Sequence, residues 1–125
     1  MRYVGDFADQ TRRVWRAGGL SASGARRVQE FLNENFTRKL SAAELAAISG
    51  LSPFHFVRAF AKTFGRPPHQ YLLILRLAFA EKLRVEGNMT IAEIADLSGF
   101  SSQSHLMAAM RKYRGRTPTE LRLRR

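Results

Sequence analysis

The sequence contains no cysteine. That removes disulfides, thiolate nucleophiles and every zinc site built on thiolates, and it suits a reducing compartment. Acidic residues are scarce: 10 Asp and Glu stand against 21 Lys and Arg, a formal charge of +11 with a pI near 11.4. A field of that sign on 125 residues repels itself until an anion neutralises it. Nucleic acid is therefore the leading expected partner, and an anionic membrane surface the second. Long apolar runs are missing, so no stretch qualifies as a spanning helix, and the opening MRYVGDFADQTRRVWRAGGL lacks the apolar core of a signal peptide. A soluble, cytoplasmic protein is expected. β-branched aliphatic residues are sparse and nothing alternates with period two, which argues against strands. What remains is 45% hydrophobic, enough apolar side chain for a packed core in one ordinary domain or two very small ones.

Glycine and proline punctuate the chain at intervals of helical length: Gly18-Gly19, Gly24, Gly50, Gly65 with Pro67-Pro68, Gly87, Gly99, Gly115 and Pro118. Ser41 with Glu44, and Thr90 with Glu93, form two capping-box signatures, in which each side chain satisfies an unpaired amide of the other residue. Aligning the two boxes exposes an internal repeat. Ser41, Glu44, Leu45, Ala46 and Gly50 match Thr90, Glu93, Ile94, Ala95 and Gly99 at an offset of 49. Beyond the glycine the offset is 50, pairing Phe60 with Met110, Lys62 with Lys112, Gly65 with Gly115, Arg66 with Arg116 and Pro68 with Pro118.

Each copy reads as a short helix, a turn carrying glycine, and a second helix behind a serine cap: Ser52 followed by Pro53, then Ser101 or Ser102 in the second copy. This is a helix-turn-helix pattern, with Gly50 and Gly99 supplying a left-handed turn and Ala46 and Ala95 small where two helices meet. Between the copies, Pro68 to Glu86 is apolar on nearly all sides and must be covered on more than one face. At about 1.5 Å per residue this helix spans about 28 Å, of the order of the roughly 34 Å between successive major-groove faces. The expected organisation is an N-terminal extension or linker stub over 1–23, a first helix-turn-helix subdomain over 24–66, a linker helix over 67–87 and a second subdomain over 88–125.

The segments LAAISGLSPFHFVRAFAKTFGRPPHQYL, RLAFAEKL, IAEIADLSGFSSQSHL and GRTPTELR resemble the DNA-binding domain of the AraC/XylS family of bacterial transcription regulators. The likeness covers about Gly24 to Arg125. It implies an all-α fold of seven helices, with two homeodomain-like helix-turn-helix subdomains joined by a long central helix. It also implies that both recognition helices enter adjacent major-groove segments, usually with DNA bending. The second copy departs from the pattern: Met107 and Ala108 stand where the family typically has a small polar residue and an Arg, and Met110 and Arg114 replace the aromatic pair Phe60 and Phe64.

The expected base-reading residues are Phe54, Val57 and Arg58 in the first copy and Gln103 and Ser104 in the second. Arg58 suits guanine O6 and N7, Gln103 suits adenine N6 and N7, and Phe54 and Val57 suit a thymine methyl. Expected phosphate contacts are Ser52, Lys62, Arg66, Ser102, Arg111, Lys112 and Arg116, the last three within a tail that carries net +6 over its final fifteen residues. His55, His69 and His105 lack the spacing of paired helical ligands, so packing or capping roles and no metal are expected. Arg76, alone in the apolar spacer, needs an acid or a phosphate.

No Ser-His-Asp, paired-carboxylate or P-loop arrangement is visible, so neither catalysis nor a cofactor is expected. A nucleophilic cysteine, which alkyl-transfer repair needs, is absent. The reading is a sequence-specific DNA-binding transcription regulator with double-stranded DNA and RNA polymerase as partners. The isolated chain is expected to be a monomer, dimeric if a sensor domain is missing, and located in the cytoplasm with the nucleoid. The alternative is a non-specific nucleic-acid-binding or packaging protein; a membrane-surface helix ranks last, because the most apolar helix carries few cations.

Overall fold

The computed structural model describes residues 18–115, and the expectations placed on 1–17 and on 116–125, Arg116 included, lie outside that range. Six helices and no strand occur among the described residues: α1 (Ala22–Asn35), α2 (Ala42–Ser49), α3 (Pro53–Phe64), α4 (Pro68–Glu86), α5 (Ile91–Ser98) and α6 (Gln103–Arg114). They account for six of the seven helices that the resemblance implies. No helix in the described range is long and apolar enough to cross a membrane.

Local chemistry sets the helix starts. Ser21, Ser41, Ser52, Thr90 and Ser102 are N-caps whose hydroxyl oxygens accept the N–H three residues on, each contributing about 1 kcal/mol. The second copy closes the full capping box, with Glu93 N–H on Thr90 Oγ1 at 3.1 Å and Thr90 N–H on Glu93 Oε1 at 2.8 Å. The first copy makes only one arm, Glu44 N–H to Ser41 Oγ at 3.1 Å. This corrects the expectation of two equal boxes. The Glu44 carboxylate is drawn instead to the Arg38 guanidinium, which holds its pKa below the usual glutamate value, with a smaller pull from the Ser41 backbone. The α2–α3 and α5–α6 turns carry Gly50 at φ +75° and Gly99 at φ +94°, a conformation in which a Cβ is strained.

The chain divides between Leu72 and Leu73, inside α4, into two compact units. In the first, α1 buries Ala25, Val28 and Leu32 at helical spacing, α2 buries Leu45 and Ala46, and α3 buries Phe56, Ala59, Phe60 and Phe64. The rings form a continuous cluster: Phe56–Phe60 centroids lie 5.6 Å apart, Phe60–Phe64 4.5 Å, Phe60–Tyr71 5.3 Å and Phe64–Tyr71 5.4 Å. Such pairs contribute about 0.5–1.5 kcal/mol each beyond burial. Burial pushes the Tyr71 phenol well above its ordinary pKa, opposed by a hydrogen bond with Gln29. Leu20 is buried ahead of α1, and its N–H is held by Thr63 Oγ1 of α3 at 2.8 Å.

The second unit has an aliphatic core: Leu73, Leu77, Ala80, Ile94, Ala95, Phe100, Leu106, Ala109 and Met110 are buried together, fringed by Leu83, Met89, Ile91 and Tyr113. Where the first unit has Phe64, this one has Arg114, whose Nε donates to Glu81 Oε2 at 2.9 Å. A water-sized cavity of about 10 Å³ lies among Ala80, Glu81, Arg84, Ile94, Leu106 and Met110.

Candidate nucleic-acid interface

The outward face of α3 follows from its inward one. With Phe56, Ala59, Phe60, Thr63 and Phe64 buried, Phe54, Val57, Arg58 and Lys62 form an outward stripe, spaced three and four apart as one helical face requires. Phe54 is 72% exposed and Val57 37%. Both are apolar groups left in water. Phe54 and Arg58 lie one turn apart, and the guanidinium carbon stands 5.7 Å from the ring centroid. Structure thus brings the three residues expected to read bases in the first copy onto one exposed patch.

Ser52, at the N-terminus of α3, accepts the His55 N–H at 3.3 Å, and its hydroxyl proton can still donate to an anion. His55 is exposed and meets the cap only through its backbone N–H, so the structure does not show the packing or capping role expected of its ring. Lys62 is exposed and its Nζ lies beside Gly18; Arg66 is half-buried. A cleft of about 280 Å³ opens beside Val57, walled by Leu45, Pro67, Pro68, His69 and Leu72 and bordered by Ser41 at the start of α2.

On α6, Leu106, Ala109 and Met110 face in. Gln103, Ser104, Ala108, Arg111 and Lys112 are exposed and Met107 half-buried. Ser102 is the cap, accepting the His105 N–H at 3.0 Å, which decides between the two serines expected there. His105 packs its ring edge-on against Phe100 at 5.2 Å, with Ser101 Oγ 3.1 Å from Nδ1, in keeping with the structural role expected of it. Gln103 Nε2 lies 3.9 Å from Met107 Sδ, a weak contact that leaves the amide oxygen open. At the offset of 50, Ser104 matches Phe54, Met107 matches Val57 and Ala108 matches Arg58. The second stripe is therefore uncharged in its first two turns and cationic in its last, where Arg111 and Lys112 project and Lys112 stands over the Tyr113 ring at 5.3 Å.

Three features escaped the sequence reading. The Phe54–Arg58 stack had a readable signal, an aromatic and an arginine four apart on a polar face. The Glu81–Arg114 pair spans 33 residues and had none. The Leu20–Thr63 bond, across 43 residues, likewise ties the start of the first unit to α3 without a sequence mark. Arg76 is buried in α4, and desolvation lowers its pKa. No group of three or more His, Cys, Asp or Glu that could hold a metal occurs among the described residues.

A family model described as a helix-turn-helix domain matches residues 45–124. The probable transcriptional regulator LumQ of Photobacterium leiognathi is 35% identical over 92 residues, which are 74% of this chain and 37% of that protein. Among solved structures, the DNA-binding domain of AdpA, a global transcriptional factor held in complex with a target DNA, is similar with a TM-score of 0.74 at 26% identity, over 78% of this chain and 88% of that one. A transcriptional regulator from Chromobacterium violaceum, described by its AraC-type DNA-binding domain, is similar with a TM-score of 0.72 at 29% identity, over 81% of this chain and 90% of that one. The chain spans a little over a third of the length of LumQ and of the virulence regulon transcriptional activator VirF of Yersinia enterocolitica, two of the curated relatives it matches.

Proposed function

Because the chain belongs to the AraC-type helix-turn-helix family of transcription-regulator DNA-binding domains, we propose that it binds double-stranded DNA sequence-specifically through two recognition helices, α3 and α6, in adjacent major-groove segments. The observation that carries this reading is the outward stripe of α3, where a guanidinium and two apolar side chains face solvent together. Nothing in the first unit's packing uses Phe54, and a large apolar group kept in water at a helix's N-terminal turn suits a partner with methyl groups. Arg58 reads a guanine edge, and Phe54 and Val57 meet thymine methyls. In the second unit Gln103 and Ser104 read bases from the first turn of α6. Ser52, Lys62, Arg66, Ser102, Arg111, Lys112 and Arg116 contact phosphates, with the amides at the starts of α2 and α5 beside them, and so provide register and the larger share of affinity.

No chemistry is done on the bound DNA. The chain positions RNA polymerase, acts as a monomer when alone and as a dimer when a sensor domain is joined to it, and works in the cytoplasm with the nucleoid. The subdomains of this reading run over 24–66 and 88–125 with 67–87 between them.

One observation favours a second reading. Ala108 stands at the position of Arg58, and the cations of α6 gather in its last turn, an arrangement that grips backbone without reading bases. Selection of sites from random duplex DNA at about 150 mM salt separates the readings, since salt weakens phosphate contacts. Two enriched blocks about 10 base pairs apart, centre to centre, are expected. A single block would reduce α6 to backbone contact. No enrichment would overturn sequence-specific binding in favour of a non-specific packaging protein.

A further inference from the structure

We infer that Phe54 is a positioning residue for Arg58, its ring forming the platform that aims the guanidinium into the groove. This rests on the reading of α3 as a base-reading helix and goes beyond it, because Phe54 then acts through Arg58 and not only by touching DNA. The two residues stand at i and i+4 on the outward stripe, with the guanidinium carbon 5.7 Å from the ring centroid. Among the described residues two other arginines are tied to carboxylates, Arg38 to Glu44 and Arg114 to Glu81. No carboxylate among the described residues pairs with Arg58. Its guanidinium is thus left uncompensated by any acid there and rests on an aromatic face.

The physics favours this arrangement at the moment of binding. A bidentate contact to guanine requires the guanidinium plane to match the plane of the base edge, yet arginine has a long side chain with many rotamers. A ring beside it removes rotamers that point away from the helix end. Cation–π attraction is weak in water and grows when solvent is stripped away, so the platform strengthens as α3 enters the groove. It also accounts for a phenylalanine held 72% exposed, the most exposed of the large apolar side chains described.

The test uses the 125-residue chain and quantitative binding to duplexes varied one base pair at a time. Arg58→Ala first identifies the base pair that Arg58 reads. Phe54→Leu keeps an apolar reader but removes the ring face, and Phe54→Tyr keeps the face. Phe54→Leu is expected to lower discrimination at the Arg58 position by about two- to fivefold, Phe54→Tyr to preserve it, and Phe54→Leu to do nothing further there once Arg58 is alanine. In the free protein, Phe54→Leu should also erase the ring-current shift of the Arg58 side-chain protons, and thermal melts check that each variant is folded. If Phe54→Leu leaves the Arg58 position intact and relaxes a different base pair, Phe54 is a direct reader only and the inference is overturned. If Arg58→Ala itself relaxes no single position, the base-reading assignment fails first and takes the inference with it.

Discussion

The two units share their punctuation and differ in what they place between the marks. Both place a cap before each of the two helices of the repeat and a left-handed glycine in the turn, at matched positions. Inside, the first is built on a chain of four rings, Phe56, Phe60, Phe64 and Tyr71, whereas the second packs aliphatic groups around Met110 and closes with the Glu81–Arg114 pair. Outside, the first presents Phe54, Val57 and Arg58, and the second Ser104, Met107 and Ala108 at the same places. Backbone geometry has few solutions for a tight turn, so the turn is held in common. Side-chain packing has many, so core and reading face have diverged.

The sharpest way to break the comparison is in the cores. Phe60→Ala removes a ring that meets three others and is expected to cost about 3–5 kcal/mol in denaturant unfolding. Met110→Ala, at the matching place beside an existing cavity, should cost less; equal losses would mean that the ring cluster adds nothing distinctive. On the reading faces, Arg58→Ala is expected to weaken binding by about 1–3 kcal/mol at one base pair, and the same loss on all sequences would make Arg58 a phosphate contact. Gln103→Ala is the matching measurement for the second unit, with the smaller loss expected there.

The turns should behave alike. Gly50 has no atom within 4 Å of where a Cβ would sit, so Gly50→Ala isolates backbone strain at φ +75°, about 1–2 kcal/mol. Gly99→Ala, at φ +94°, should shift the melting transition by a similar amount, and a large disparity would show that the turns are not equivalent. The smallest expected effect separates the capping boxes. Because Arg38 depresses the Glu44 pKa, the pair's contribution is intact above the ordinary glutamate range and is lost only as pH falls through the lowered folded value. A carboxyl-carbon NMR titration should therefore find Glu44 below that range and Arg38→Gln should raise it; no movement would mean that the pair does not persist in solution.

Much of this was legible because it is local. Ser52 with Pro53 marks the first residue of α3, and Thr90 with Glu93 marks the start of α5, since a cap is a bond between residues three apart. The outward exposure of Phe54 also followed, because Phe56 and Phe60 already occupy the inward face. Ser41 with Glu44 likewise marks the start of α2, but the return arm of that box is weakened, because Arg38, six residues from Glu44, draws the carboxylate. The choice between Ser101 and Ser102 turned on backbone geometry, which puts Ser102 at the cap and leaves Ser101 beside the His105 ring.

By itself, then, the sequence determined the helices of the two repeats and the spacer between them, the caps Ser41, Ser52 and Thr90, the two turns, the repeat and the family, all of which rest on periodicity, glycine and residues within a turn of one another, while α1 and its Ser21 cap came from the structure. Only the tertiary structure decided that Arg114 meets Glu81, that Leu20 hangs from Thr63 and that Arg58 lies against Phe54. The first two pairings span 33 and 43 residues, distances over which pattern carries no information and packing alone chooses the partner. The third is a rotamer choice, made by one side chain among several allowed positions according to which neighbour offers it a face.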